Sequence, residues 1–328
     1  PPFYWVSSGP LIRPQPEADP PVVAIKDPSV VRFGGRWHLF ATTVDRHGRW
    51  SMVYTSFADW ADAPTAKLRR LDANPALAGY HCAPEVFYFE PQGLWYLVFQ
   101  SPDPSYSTTA DIGDPLSWSA PRPFFHGTPK TVVEGWIDFW VICDSTHACL
   151  FFSDDHGRYY RSRTSLSEFP AGFSDPVVIM HEPDARDLFE GSCVYRVKGE
   201  DRYLALIECI GPDWHRYYKG FVADRLDGDW RPLAATWREP FAAITHVRFA
   251  EGVKPWTNDI SHGELLRDGY DQTLTVDPAH LALLFQGVRP ELAQGKQYYQ
   301  LPYELGLLRP DTDLAPAAGE GPAVERRP

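Results

Sequence analysis

Positive charge is in short supply in this chain, with 31 Lys and Arg against 43 Asp and Glu and a net charge of −12. A nucleic-acid ligand demands a basic footprint, so that class of partner is excluded. A neutral ligand suits the surface better. No apolar run approaches the ~20 residues of a membrane-spanning helix, and no membrane partner is expected. Cysteine is sparse too: Cys82, Cys143, Cys149, Cys193 and Cys209 show no metal-ligand spacing. All but Cys82 lie in strand-like apolar runs, where a free thiol behaves as a small hydrophobe. An odd number leaves at least one unpaired, so the redox compartment stays open. The chain begins at Pro1-Pro2 rather than Met, which is compatible with a removed signal peptide.

What is present in quantity is aromatic, at 14% of residues. Aromatic residues supply core and also sugar-stacking surface. The densest run of polar residues that look buried is Trp256-Thr257-Asn258-Asp259-Ile260-Ser261-His262-Gly263-Glu264. Four other segments share its plan, an opening residue followed by an apolar strand and a turn. The openings are Asp27, Ala83, Asp138, Glu190 and His262. Their spacing of roughly fifty residues, wider at the end, with strand, turn and strand in each unit, predicts an all-β, five-bladed β-propeller. One domain over 1–308 accounts for the repeats, with residues 1–21 as an extended lead-in. The Pro-, Ala- and charge-rich segment 309–328 reads as a loosely held tail.

Within the blades, Pro102 and Pro104 predict that the third strand of blade two is short or missing. Trp230 is expected in the fourth strand of blade four. Blade five takes in Thr273 to Val276, and Tyr299 to Leu308 is expected to return to blade one and close the ring. His38, His47 and His156 sit beside hairpin turns and read as surface residues. The Asp154–Gly157 run reads as a turn rather than a metal loop.

In a propeller the first strand of each blade lines the central channel. The repeat therefore predicts that Asp27, Asp138, Glu190 and His262 meet at one mouth, where Ala83 contributes no chemistry. A single Asp or Glu at a strand end is ordinarily a cap or a weak surface pair. Four ionisable residues at one phase point instead to catalysis or a cation. Two carboxyls in a sugar-sized pocket suggest glycoside hydrolysis, one as acid and one as base or nucleophile. The flanks give a slight assignment. Leu188-Phe189 before Glu190 favours a protonated acid, and Lys26 before Asp27 favours an ionised base. Tyr106, Trp136, Trp214 and Tyr217, near rim loops, are candidates for stacking on a polysaccharide, with core packing as the alternative.

The segments KDPSVV, IDFWVICDST, LFEGSCVY, WTNDISHGE, GYDQTLTVDP and LPYELGLL, in this order between Tyr4 and Leu308, resemble glycoside hydrolase family 62. The resemblance implies an inverting, exo-acting α-L-arabinofuranosidase that removes arabinofuranosyl side chains from arabinoxylan. It implies Asp27 as general base, Glu190 as general acid and Asp138 as the carboxylate that tunes and orients the acid. It further implies calcium in the channel, contacted by His262 with waters completing the shell. Lys26, Asn258 and Tyr303 match positions lining or bordering the arabinose pocket, and Arg216, Tyr217 and Tyr218 match a segment near the xylan surface. Two positions depart from the family pattern, Ser101 where a Trp is common and Phe139 where a Gln is frequent. The protein is thus expected to be a secreted monomer acting on a polysaccharide. The alternatives are another inverting propeller glycosidase, such as an arabinanase or β-xylosidase, or a non-catalytic carbohydrate-binding propeller.

Overall fold

Short apolar runs rich in Val, Phe and Tyr, punctuated by Gly- and Asp-bearing turns, favour strands over helices. The computed structural model, which describes residues 3–17 and 21–313, accordingly holds one α-helical turn among the described residues, Pro290–Ala293. Its strands form five sheets, the blades of a five-bladed β-propeller. Blade one is Ala24–Phe33, Arg36–Val44, Trp50–Phe57 and Arg69–Arg70. Blade two is Cys82–Phe89, Leu94–Ser101, Asp103–Thr109 and Arg122–Pro123. Blade three is Ile137–Cys143, His147–Ser153, Arg158–Ser165 and Val177–His181. Blade four is Glu190–Val197, Tyr203–Ile210, Arg216–Ala223 and Arg231–Ala234. Blade five is built from Ser261–Leu265, Leu283–Gly287, Glu304–Pro310 and Trp5–Ser7, with Val247–Phe249 outermost.

The structure corrects several expectations. Blade two has a full third strand, because Pro102 occupies the hairpin tip and Pro104 contributes only its carbonyl, which accepts from Phe124 N at 2.9 Å. Trp230 falls just before the fourth strand of blade four. Thr275–Val276 pairs in parallel with Arg196 and Val197 of blade four, not with blade five. The C-terminal strand does not return to blade one. It is the third strand of blade five, and Trp5–Ser7 pairs antiparallel with it to close the ring. That strand runs to Pro310, and Asp311 is buried and accepts from Arg248 Nη2 at 3.0 Å. Order therefore extends past residue 308, and the rest of the expected tail, 314–328, lies outside the described residues. All five cysteines are buried and free. His38 is also buried, with Nδ1 2.8 Å from Tyr54 OH.

The repeat has a physical cause. In every blade the innermost strand carries a β-bulge near its start, where the register slips between Lys26 and Ser29, Cys82 and Glu85, Ile137 and Trp140, Glu190 and Cys193, and Ser261 and Gly263. An extra residue bends the strand and re-aims its side chains. Asp27, Ala83 and Asp138 occupy the bulge at φ 46°, 51° and 55°, and Gly191 does so at φ 59°. Downstream of the bulge, backbone donors on the channel edge find side chains of the neighbouring blade. Val86 N donates to Ser29 Oγ at 3.0 Å, Val141 N to Glu85 Oε2 at 2.6 Å, Leu265 N to Tyr195 OH at 2.8 Å, and Val30 N to Glu264. The buried carboxylates Glu85 and Glu264 thus hold adjacent blades together, and burial pushes both of their pKa values up.

Candidate active site

The bulges bring the expected cluster to one mouth of the channel. A pocket of about 250 Å³ is lined there by Lys26, Asp27, Asp138, Glu190 and His262, with Trp50, Tyr80, Cys82, Gln100, Ile137, Asp155 and Tyr298 as further walls. A larger hollow of about 720 Å³ opens over the blade-one hairpin tip and shares Trp50 and Tyr80 with this pocket. Its carboxylates, Asp45 and Asp72, are already tied to Arg49 and Arg70. The chemistry therefore belongs to the smaller pocket.

Blade four departs from the expected phase by one residue. Gly191, not Glu190, stands at the position of Asp27 and Asp138, and Glu190 shares the phase of Lys26, Cys82 and Ile137. The φ is one that Asp and Ala adopt in the other blades, and contact sets Gly191 apart: a Cβ would lie 2.7 Å from Glu208 Oε2 and 3.2 Å from Glu208 Cβ. The slip sets Glu190 one residue earlier on its strand than the aspartates on theirs.

His262 is the basic residue among the carboxylates, with Nδ1 3.3 Å from Asp27 Oδ1 and 3.8 Å from Asp138 Oδ2. Burial acts to lower its pKa, but Asp138, Asp27, Glu208 and Glu190 outweigh burial and hold it above the ordinary value. Asp138 Oδ2 also accepts from Gly191 N at 2.9 Å. Burial, with the charges of Glu190 and Asp27 adding, raises the Asp138 carboxyl to about 6 against the pull of His262.

Glu190 Oε1 accepts from Arg216 Nη1 at 2.7 Å, and the same guanidinium reaches Glu208 Oε1 at 3.3 Å. Phe189 does not provide an apolar bed for Glu190, since its ring lies under the Arg216 guanidinium at 4.6 Å. Lys26 is likewise not the partner of Asp27. Its Nζ donates to Tyr298 OH at 2.7 Å and sits among Trp50, Tyr298 and Tyr303, 4.5, 4.2 and 5.2 Å from their ring centroids. Neighbours in sequence point to opposite faces of a strand, so flanking residues were a poor guide to the electrostatics.

Glu208 was not anticipated. It lies opposite Glu190 on the next strand and is fully buried. Burial raises it to about 7, with Arg216 opposing and Glu190 adding. Glu208 accepts from Ser261 Oγ at 2.7 Å and from His262 N at 2.9 Å. Gln286 Nε2 donates to Ser261 Oγ at 3.0 Å, and Gln286 Oε1 accepts from Asp27 N at 2.7 Å. One polar chain thus runs from Asp27 through Gln286, Ser261, Glu208 and Arg216 to Glu190. A lone glutamate inside the apolar run Leu206-Ile207-Glu208-Cys209 was the signal that could have found it.

The other expected binding residues divide. Tyr303 is buried behind Tyr298, with ring centroids 6.3 Å apart. Asn258 is exposed and is absent from the pocket wall; its neighbour Asp259 accepts from Arg216 N at 2.8 Å. Tyr217 is not brought to the pocket. Alternation along its strand turns it away from Arg216, into a cluster with Cys209, Ala243 and Trp237. Of the stacking candidates, Tyr217 and Trp136 are core and Tyr106 packs between Tyr96 and Phe124, which leaves Trp214 exposed. The departures at Ser101 and Phe139 do not reshape this pocket: Ser101 is absent from its wall, and Phe139 packs on Trp136 and Phe152.

The described residues contain no group of three or more His, Cys, Asp or Glu that could hold a metal ion. Beneath the pocket a small cavity is lined by Asp138, Ser192 and His262, and Ser192 Oγ is buried without a partner. The donors it offers are the Asp138 carboxylate, the His262 imidazole and the Ser192 hydroxyl, around a space of about 10 Å³, room for about one water.

The sequence model of Glycosyl hydrolase family 62 matches residues 4–309. Alpha-L-arabinofuranosidase C of Cellvibrio japonicus is 41% identical over 313 residues, covering 94% of this chain and 47% of the relative. The chain thus spans about half the length of that relative. The catalytic domain of a Coprinopsis cinerea family 62 α-L-arabinofuranosidase superposes with a TM-score of 0.90 at 46% identity, covering 96% of this chain and 99% of that one. A family 62 hydrolase in complex with xylotriose gives a TM-score of 0.88 at 42% identity, covering 93% and 96%. With its carboxylates gathered at the mouth of a five-bladed channel, the chain is a glycoside hydrolase and belongs to glycosyl hydrolase family 62.

Proposed function

We propose that the protein is an inverting, exo-acting α-L-arabinofuranosidase that releases single arabinofuranosyl branches from arabinoxylan. The observation that carries the reading is the division of charge in the pocket: Asp27 is paired with His262, whereas Glu190 is set among Asp138, Glu208 and Arg216. A pocket of about 250 Å³ flanked by Trp50, Tyr80 and Tyr298 suits one furanose rather than a polymer passing through. The names of the relatives, an arabinofuranosidase and a hydrolase that holds xylotriose, support the sugar and its backbone.

In this mechanism Asp27, with the His262 ring 3.3 Å away, takes a proton from water as the water oxygen bonds to the anomeric carbon. The bond to the xylose oxygen breaks, and that oxygen receives the proton of Glu190. Asp138 orients the acid through its hydrogen bond to Gly191 N, the residue after Glu190. Arg216 stabilises the carboxylate that Glu190 becomes after donating. Lys26, Tyr298 and Trp50 wall the sugar site. Calcium, if bound, would take the neutral imidazole of His262 with water completing its shell, and would supply fixed positive charge near the carboxylates. The proposal includes a monomer that meets its polymer outside the cell.

A proton NMR time course on arabinoxylan tests the reading. The expected first product is β-arabinofuranose. Release of the α-anomer would overturn inversion, and release only from arabinan or xylooligosaccharides would transfer the site to another propeller glycosidase activity.

A further inference from the structure

The hairpin that delivers Arg216 to Glu190 carries at its tip a residue used by neither the core nor the pocket. Trp214 is 71% exposed and is held at φ 67°, a conformation bulky side chains seldom adopt. Hydrogen bonds enforce that conformation. Trp214 N donates to Gly211 O at 2.9 Å, Gly211 N to His215 O at 2.8 Å, and His215 N to Asp213 Oδ1 at 3.1 Å. The ring is also oriented. The Arg186 guanidinium lies over it, 5.1 Å from the centroid, and Arg186 is itself fixed by Asp184 at 2.6 Å. Strain that the surroundings over-determine points to use, and here it fixes an aromatic face open to solvent.

The neighbourhood is a sugar-sized one. A hollow of about 480 Å³ lies beside Arg186, with Asp187, Lys219, Tyr217 and Trp237 in its walls. Arg216, two residues on, touches the proposed acid, so the Cα of Trp214 stands within ~8 Å of that of Arg216. Trp214 therefore stands at the end of the hairpin whose arginine reaches the acid.

Resting on the arabinofuranosidase reading, we infer that Trp214 is a main-chain platform: its indole stacks on a pyranose of the xylan backbone beside the branch point. It acts on recognition of the polymer and leaves the chemistry alone. The residue is therefore a specificity determinant, and the hollow beside it supplies polar partners for sugar hydroxyls.

The test compares the wild type with Trp214→Gly, which removes the ring at a φ that glycine tolerates, and with Trp214→Phe, which keeps a ring. Affinity electrophoresis through soluble xylan reads binding without turnover, and initial rates on arabinoxylan and on a small aryl α-L-arabinofuranoside read catalysis. Trp214→Gly is expected to raise KM on the polymer about five- to tenfold and to abolish most of the retardation by xylan. Its kcat/KM on the aryl glycoside stays unchanged, and Trp214→Phe recovers most of the polymer effect. Equal retardation of wild type and Trp214→Gly, or an equal loss on both substrates, overturns the platform. Wild-type retardation that depends on Trp214 without any arabinose release keeps the platform and removes the activity reading.

Discussion

Asp138 Oδ2 accepts the backbone N–H of Gly191 at 2.9 Å, which ties a carboxylate of blade three to the residue after Glu190 on blade four. The contact exists because both residues stand at the bulge of their innermost strands, where the chain turns its side chains and amides toward the channel mouth. It makes Asp138 a positioning residue that also carries charge. Asp138→Asn keeps an acceptor for Gly191 N but removes the charge. We expect kcat on arabinoxylan to fall about 10²- to 10³-fold with little change in KM and an unchanged Tm. Wild-type kcat in this variant would remove Asp138 from the mechanism.

Arg216 offers a separate handle on the acid. Its guanidinium donates to Glu190 at 2.7 Å and opposes the rise of the buried Glu208 carboxyl, so removing it leaves both without their cation. In Arg216→Gln kcat on arabinoxylan is expected to fall about 10²-fold, because the carboxylate left by proton donation loses its partner. Wild-type kcat in this variant would remove Arg216 from the mechanism.

Glu208 links the site to stability. Its folded pKa, about 7, lies above the ordinary 4.5 because burial penalises the charge. A raised carboxyl contributes stability that is full below the ordinary value and is lost as pH rises through the folded one. Tm should therefore fall between about pH 4.5 and pH 7, by an amount corresponding to a few kcal/mol. Glu208→Gln, measured by calorimetry across that window, should show a flatter profile. An equally steep profile would place the dependence elsewhere.

Gly263 tests the packing behind His262. A Cβ there would lie 2.0 Å from Leu284 O on the adjacent strand of blade five, and backbone cannot step aside as a side chain can. Gly263→Ala is expected to cost about 3 kcal/mol or more, lowering Tm by at least roughly 6 °C. A Tm within a degree or two of wild type would show that this blade yields more easily than its geometry implies.

Much of this molecule was legible in the chain. Each blade is a local run of strand, turn and strand, and its cues sit within ten residues of one another, so the repeat and the five-blade reading needed no tertiary information. Asp27, Asp138, Glu190 and His262 were found because the repeat says which residues share a mouth. Glu208 breaks an apolar run, but only its place opposite Glu190, across a ladder, assigns it to the site.

The sequence by itself determined the all-β class, the order of the blades and the residue types gathered at the channel. Those follow from alternation and turn chemistry, which are local. Tertiary structure alone decided which charge meets which: His262 rather than Lys26 beside Asp27, and Arg216 rather than Phe189 against Glu190. It also decided that Trp5–Ser7 and Glu304–Pro310 share blade five. Strand pairing and through-space electrostatics depend on which segments become neighbours once the ring closes. A bulge of one residue, silent in composition, is enough to change both.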